Sequence, residues 1–226
     1  MMVWGHVARF AVKRRTESFA SRIRENISSA SSKVDWEDYN YPPVLQIIHY
    51  SIDDVEDLQA KSAVSWAHHS YRMLCGTLLF NMLATTALVI SGVKGSFLNV
   101  LYALFNFIIC GTVGLYSFYN GYKGLATNNM SLTQRYLVLQ VLFVVFMLAS
   151  AIAHGNNFNG LTSLEKTDRT SSKLKTMWVA WVVVESSLWL LNVGIALMGL
   201  YLVNSNRRQG RPLTFEQNAL ASPTGP

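Results

Sequence analysis

Four stretches, at about residues 73–93, 97–119, 136–153 and 177–203, run almost without charge, and that property excludes most folds open to a chain of this size. At about 1.5 Å of rise per residue, 21 helical residues cover about 31 Å, close to the roughly 30 Å hydrocarbon core of a bilayer. A soluble core helix rarely stays uncharged over that length. The chain is therefore expected to be all-α: a polytopic membrane protein with four transmembrane helices, preceded by amphipathic cytosolic helices.

Roughly 90 of the 226 residues fall in these runs, which leaves little for an independent soluble domain of about 100 residues. The expected organisation is a basic, amphipathic segment at 1–39, a four-span membrane domain at 40–208 and a flexible tail at 209–226. Charged residues make up 14% of the chain against about 25% in soluble proteins, a sharper departure than its apolar fraction of 50%. The net charge of +6 does not point to nucleic acid. Its basic residues crowd the start of the chain, where Arg9, Lys13, Arg14 and Arg15 suit an anionic lipid surface, as do Lys123, Arg207 and Arg208 near later span ends. Cys75 and Cys110 are the only cysteines and give no disulfide framework; Cys75 is read as a packing residue, with palmitoylation as the alternative.

Counted by segment, placing both termini in the cytosol puts 14 Lys and Arg inside and five outside, the arrangement the positive-inside rule favours. Lys166, Arg169, Lys173 and Lys175 form a mild exception in the outer loop. The first 40 residues lack an apolar core of signal-peptide length, so the first span is expected to direct insertion. A basic, Ser-rich start also fits a mitochondrial import segment, although Glu17 and Glu25 argue against it.

Before the first span, Val3, Val7 and Phe10, then Phe19, Ile23 and Ile27, recur at helical spacing between basic residues, as in helices that lie on a membrane. Tyr41-Pro42-Pro43 excludes a continuous helix and predicts an extended approach to the bilayer. Ser51 and the acids after it form an N-cap signal, so a helix is expected from there, lying along the inner interface with Trp66 and Tyr71 near headgroups.

The run Tyr41-Pro42-Pro43, Ile47-Ile48-His49 and Ile52, followed by Leu79-Phe80-Asn81, Gly92-Val93-Lys94, Phe97-Leu98, Tyr102-Ala103-Leu104, Glu185-Ser186 and Tyr201, resembles the secretory carrier membrane proteins, with the plant and protist branch nearest. The resemblance spans residues 40–208 in order. It implies four spans with cytosolic termini, no catalytic site, and work in protein trafficking: exocytosis and recycling through trans-Golgi and endosomal vesicles and the plasma membrane, with trafficking proteins or cargo as partners. Where that family carries Trp-Tyr-Arg-Pro-x-Tyr between spans two and three, this chain has Leu115-Tyr116-Ser117-Phe118-Tyr119, which keeps aromatics and loses the arginine and proline. Lys123 is the remaining nearby base, and one lysine contributes only about 1 kcal/mol at an anionic surface. The family's Asn-Pro-Phe repeats are missing as well.

Tyr41, Pro42, Pro43, Ile48 and His49 are read as an inner collar that sets the shape of the chain before the first span. Glu185 is the one acid within a span and must face the bundle, because a charge at mid-bilayer costs about 2.5–3.5 kcal/mol or more. It lies at the same depth as Asn106, which predicts a hydrogen bond between them; Asn81, Gln140 and Asn192 are expected to form a second polar layer. A small channel or transporter using Glu185, and a structural subunit of a mitochondrial membrane complex, are the alternative functions; no second ionisable group continues a relay within the spans. Histidine and cysteine spacing matches no metal site, and no catalytic or cofactor-binding motif is present. Tyr122-Lys123-Gly124-Leu125 fits the loose tyrosine-based sorting pattern. A homo-oligomer stays open. The orientation predicts no N-glycan, since Asn26-Ile27-Ser28 and Asn129-Met130-Ser131 fall on the cytosolic side; an endoglycosidase-sensitive gel shift abolished by Asn129→Gln would invert the topology.

Overall fold

The computed structural model describes residues 34–209, apart from 156 and 169, with side chains to 207. The expected helices at 3–12 and 19–27 lie outside that range. The described chain forms two units, 34–50 and 51–209.

The larger unit is built from four long helices: α1 (Leu58–Ile90), α2 (Leu98–Ala126), α3 (Met130–Ile152) and α4 (Ser172–Gln209). Each is long and apolar enough to cross a membrane. They pack in an antiparallel square in which each helix adjoins its sequence neighbours, α1 closes the ring against α4, and α2 barely touches α4. The outer surface is apolar, unlike that of a soluble bundle, and the interior holds polar groups as well as apolar ones. Ile108, Val141, Leu142, Val145, Val184, Leu191 and Leu197 face outward, whereas Ser70, Thr77, Asn81, Gln140, Glu185 and Asn192 are buried, the distribution expected where the surrounding solvent is lipid. An apolar centre of Leu74, Leu78, Phe143, Met147, Trp189 and Ala196 separates the two ends of the bundle.

The helix ends follow local chemistry. Asp57 caps α1 through a 2.7 Å bond from the Ala60 amide, and Asn129 caps α3 by accepting from the amides of Ser131 and Leu132 at 3.0 and 3.3 Å. At the far end of α1, Gly92 adopts φ 76°, and the amides of Gly92 and Val93 return to the carbonyls of Val89 and Leu88, the left-handed exit that glycine permits without steric cost.

Two expectations change here. Residues 52–71 do not make a separate interfacial helix. Ser51 caps only a single 3-10 turn, Ile52–Asp54, and residues 58–71 are the first turns of α1, where Ala60, Ala63, Val64, Ala67 and Ser70 are buried. Small side chains on that face admit a neighbouring helix, so packing overrides the interfacial reading. At 33 residues, α1 is about 50 Å long and exceeds the hydrocarbon core. The second change concerns residues 41–48, which form a closed turn rather than an extended approach. Tyr41 and Ile48 exchange backbone hydrogen bonds of 2.9 Å, the Tyr41–Pro42 bond is cis, and Gln46 sits at φ 47°.

α2 and α3 are in close contact at Gly124, where an added Cβ would fall 2.7 Å from the Thr133 backbone nitrogen. Gly111 of α2 has nothing within 4 Å of such an atom. Gly124→Ala should lower the thermal midpoint in detergent, because overpacking against backbone costs about 1–3 kcal/mol and outweighs the propensity gain of about 1 kcal/mol. Gly111→Ala, which carries the gain alone, should leave the midpoint unchanged or raise it.

Candidate functional site

Glu185 sits on α4, fully excluded from solvent. Asn81 of α1 donates Nδ2–H to its Oε1 at 2.7 Å, and Asn159, in the segment joining α3 to α4, donates its backbone N–H to Oε1 at 3.2 Å and its Nδ2–H to Oε2 at 2.8 Å. Asn81 also donates to the Asn157 carbonyl at 2.8 Å. The carboxylate therefore joins two helices and the α3–α4 connection through N–H donors.

The expected partner of Glu185 was Asn106, and the structure corrects this. Asn106 belongs to α2, which lies diagonally across the square from α4, whereas α1 is the neighbour whose side chains reach Glu185. The second layer is divided in the same way. Asn81 belongs with Glu185, while Gln140 donates to Ser70 at 2.8 Å near the other end of the bundle. Asn192 is buried without a direct hydrogen-bond partner.

The connection supplying Asn159 is a plug rather than a solvated loop. His154 and Asn159 pair as an isolated antiparallel bridge, the Gly160 amide returns to the Ala153 carbonyl at 3.1 Å, and Phe158 packs edge-on against Phe146 and Trp189 at centroid distances of 5.6 and 6.3 Å. A Cβ on Gly160 would stand 2.3 Å from the Ala153 oxygen, so glycine is required where the chain of the plug closes back on itself. Lys94, from the α1–α2 turn, reaches toward the Gly155 carbonyl at 3.5 Å. Burial pushes its ammonium down to about 8, an effect opposed by the Glu185 carboxylate and reinforced by Lys166. His154 donates to or accepts from the Ser163 hydroxyl at 2.8 Å; burial, then the cations Lys166 and Lys94, hold its pKa below the usual histidine value.

A second polar clasp closes the opposite end. Tyr122 of α2, completely buried, donates its hydroxyl to the Asp54 carboxylate and accepts from the Ser51 amide at 3.2 Å. A receptor reading Tyr122-Lys123-Gly124-Leu125 as a sorting signal would need that ring exposed, so the structure speaks against the sorting reading. Residues 115–119, expected near a loop, lie inside α2, where Phe118 stacks on His68 and Tyr71 at 5.1 and 6.0 Å. Lys123 stands 3.3 Å from the Tyr119 hydroxyl and over its ring. Arg207 turns onto Met130 and Gln134 at the start of α3. Arg208 is helical. Arg9, Lys13, Arg14 and Arg15 lie outside the described residues.

The collar residues share the smaller unit. His49 is buried, with Nδ1 2.9 Å from the Asp38 carbonyl and its ring edge-on to Trp36 at 5.7 Å. Tyr41 packs against Tyr50 at 5.4 Å, Ile48 pairs with Tyr41, and Pro42 and Pro43 form the turn between them. Sequence reasoning missed Asn159. The available signal was Asn157-Phe158-Asn159-Gly160, an aromatic residue between two amides and before glycine in an otherwise polar connection.

A square of four antiparallel helices with an apolar outer belt and a hydrogen-bonded carboxylate inside defines a helical integral membrane protein. Residues 38–210 match the sequence model of the SCAMP family, and the chain belongs to that family, a family of membrane-trafficking proteins. No curated protein and no solved structure matches it.

Glu185→Gln should keep the fold within about 1 kcal/mol of wild type, because Asn159 can turn its unpartnered Oδ1 toward the new amide. Glu185→Leu strands the Asn81 and Asn159 donors and should cost about 3 kcal/mol. Thermal unfolding of both variants in detergent checks the contrast, and equal losses would contradict it.

Proposed function

We propose that this chain is a non-enzymatic component of post-Golgi and endosomal vesicles that acts in protein trafficking and membrane recycling, with both termini in the cytosol. The observation that carries the reading is the SCAMP match over residues 38–210, which takes in the 41–48 hairpin and all four spans. The excess of basic residues before the first span and after the last, with Lys123 and Arg135 in the helix turns that flank the α2–α3 turn, supports the orientation. The partners in this reading are an anionic cytosolic leaflet and trafficking proteins or cargo.

The buried carboxylate is better suited to holding the bundle together than to conducting ions. It is fully buried and is met by three N–H donors, with no second carboxylate among the spans to continue a path. Work as a transporter would require Glu185 to exchange these partners for water or an ion in every cycle.

The tagged chain, imaged in cells, should appear in puncta that overlap trans-Golgi and endosomal markers. Mitochondrial staining would instead favour a subunit of a mitochondrial membrane complex. Ion flux from vesicles reconstituted with the purified chain, lost in Glu185→Gln, would favour the transporter.

A further inference from the structure

The 34–50 hairpin exposes its most apolar part. Val44 is 93% exposed, Leu45 67% and Ile47 53%, and all three sit in the turn between the paired residues Tyr41 and Ile48. No Asp, Glu, Lys or Arg occurs from 39 to 52. The exposed acids Asp35, Glu37 and Asp38 belong to the other end of the unit.

Backbone chemistry matters as much as the side chains. A loop entering a bilayer must bring few unsatisfied N–H groups with it. Pro42 and Pro43 have none. The amides of Leu45 and Gln46 donate to the Pro42 carbonyl at 3.0 and 2.8 Å, and those of Ile47 and Ile48 donate to the Tyr41 carbonyl at 3.0 and 2.9 Å. The turn is thus closed on itself while its aliphatic side chains point outward. Tyr39 is 54% exposed, and Tyr41 and Tyr50 form an edge-on pair, a residue type that favours the headgroup level of a bilayer. Only residues 51–57 separate this unit from α1; eight peptide links extend at most about 28 Å, so the loop stays within reach of the membrane that holds α1.

We infer that the turn at residues 43–47 inserts into the bilayer interface, with Val44, Leu45 and Ile47 among the upper acyl chains. Its ligand is the lipid surface itself. Because the turn carries no charge, insertion does not depend on anionic headgroups, unlike the basic residues at the start of the chain.

The test uses the full chain in a Cys75→Ala, Cys110→Ala background with Val44→Cys, labelled with an environment-sensitive fluorophore and reconstituted in phosphatidylcholine vesicles. A matching probe replaces Glu37. The probe at 44 should emit at shorter wavelength than the probe at 37. It should be quenched several-fold more by a spin-labelled acyl chain than by aqueous iodide, equally with and without phosphatidylserine. Iodide quenching equal to that at 37 would overturn the inference. So would shielding from both quenchers, which would point to a protein cover: a second copy, or the first 33 residues of this chain. Dependence on phosphatidylserine would overturn the charge-independent mode. The unmodified chain gives a second readout if the cysteine-free background does not fold. A diazirine phospholipid should label the peptide holding 44–47, and labelling confined to the four spans would refute insertion.

Discussion

Helices surrounded by lipid gain little by burying apolar faces against one another, because acyl chains are as apolar as leucine. The register and neighbours of this bundle therefore depend on contacts that lipid cannot imitate, and the strongest of them is the carboxylate of Glu185. Its three N–H partners come from α1 and from the α3–α4 connection. One side chain thereby fixes which helix lies beside α4 and holds the plug in the end of the bundle. Phe158, beside the anchored Asn159, completes an aromatic triad with Phe146 and Trp189, which also touch each other.

The same principle operates at the other levels of the bundle with weaker contacts. Gln140 and Ser70 join α3 to α1, Tyr122 joins α2 to the turn ahead of α1, Gly124 lets α2 and α3 meet at backbone distance, and Gly121 makes room for the Tyr136 ring. Individual hydrogen bonds between membrane helices average only about 0.6 kcal/mol. Their value lies in direction, since a helix turned on its axis loses them while its apolar contacts are replaced by lipid.

How much of this could be read from the sequence depends on which coordinate is asked for. Depth was legible only in part: 1.5 Å per residue converts sequence position into height, yet Asn81 was assigned to a second layer away from Glu185, to which it is bonded. By the observed helix ends Asn81 lies nine residues before the end of α1, and Asn106 eight after the start of α2. Both amides therefore lie near the height of Glu185, and height cannot choose between them. The choice rests on which helices are neighbours in the square, a property that apolar faces of similar composition do not encode. The Asn159 plug was hidden for a related reason: a connection with several polar residues reads as solvated unless the partner of each amide is known. Residues 58–71 were misread because Trp66 and Tyr71 resemble interfacial anchors, while the alanines that seat the helix in the bundle carry little periodic signal. The segment at 41–48 was expected to be extended, and its closure into a turn goes with Gln46 adopting a left-handed conformation, which no residue preference announces.

The features that carry the family resemblance and those that hold the bundle together are partly the same residues. Glu185-Ser186 and Leu79-Phe80-Asn81 enter as family matches and also supply the central hydrogen bond between α1 and α4. The divergent stretch, 115–119, has a different character. Phe118 is stacked within α2 and against α1, Tyr116 is half exposed, and the neighbouring Lys123 lies over Tyr119. Loss of the family's arginine and proline there leaves a helix that continues to Ala126 and turns directly into α3 through three residues. A segment held inside a helix cannot also extend along a membrane surface. Exposed aliphatic side chains outside the bundle are found instead in the hairpin before α1, where prolines and a self-bonded turn leave few backbone donors to be desolvated.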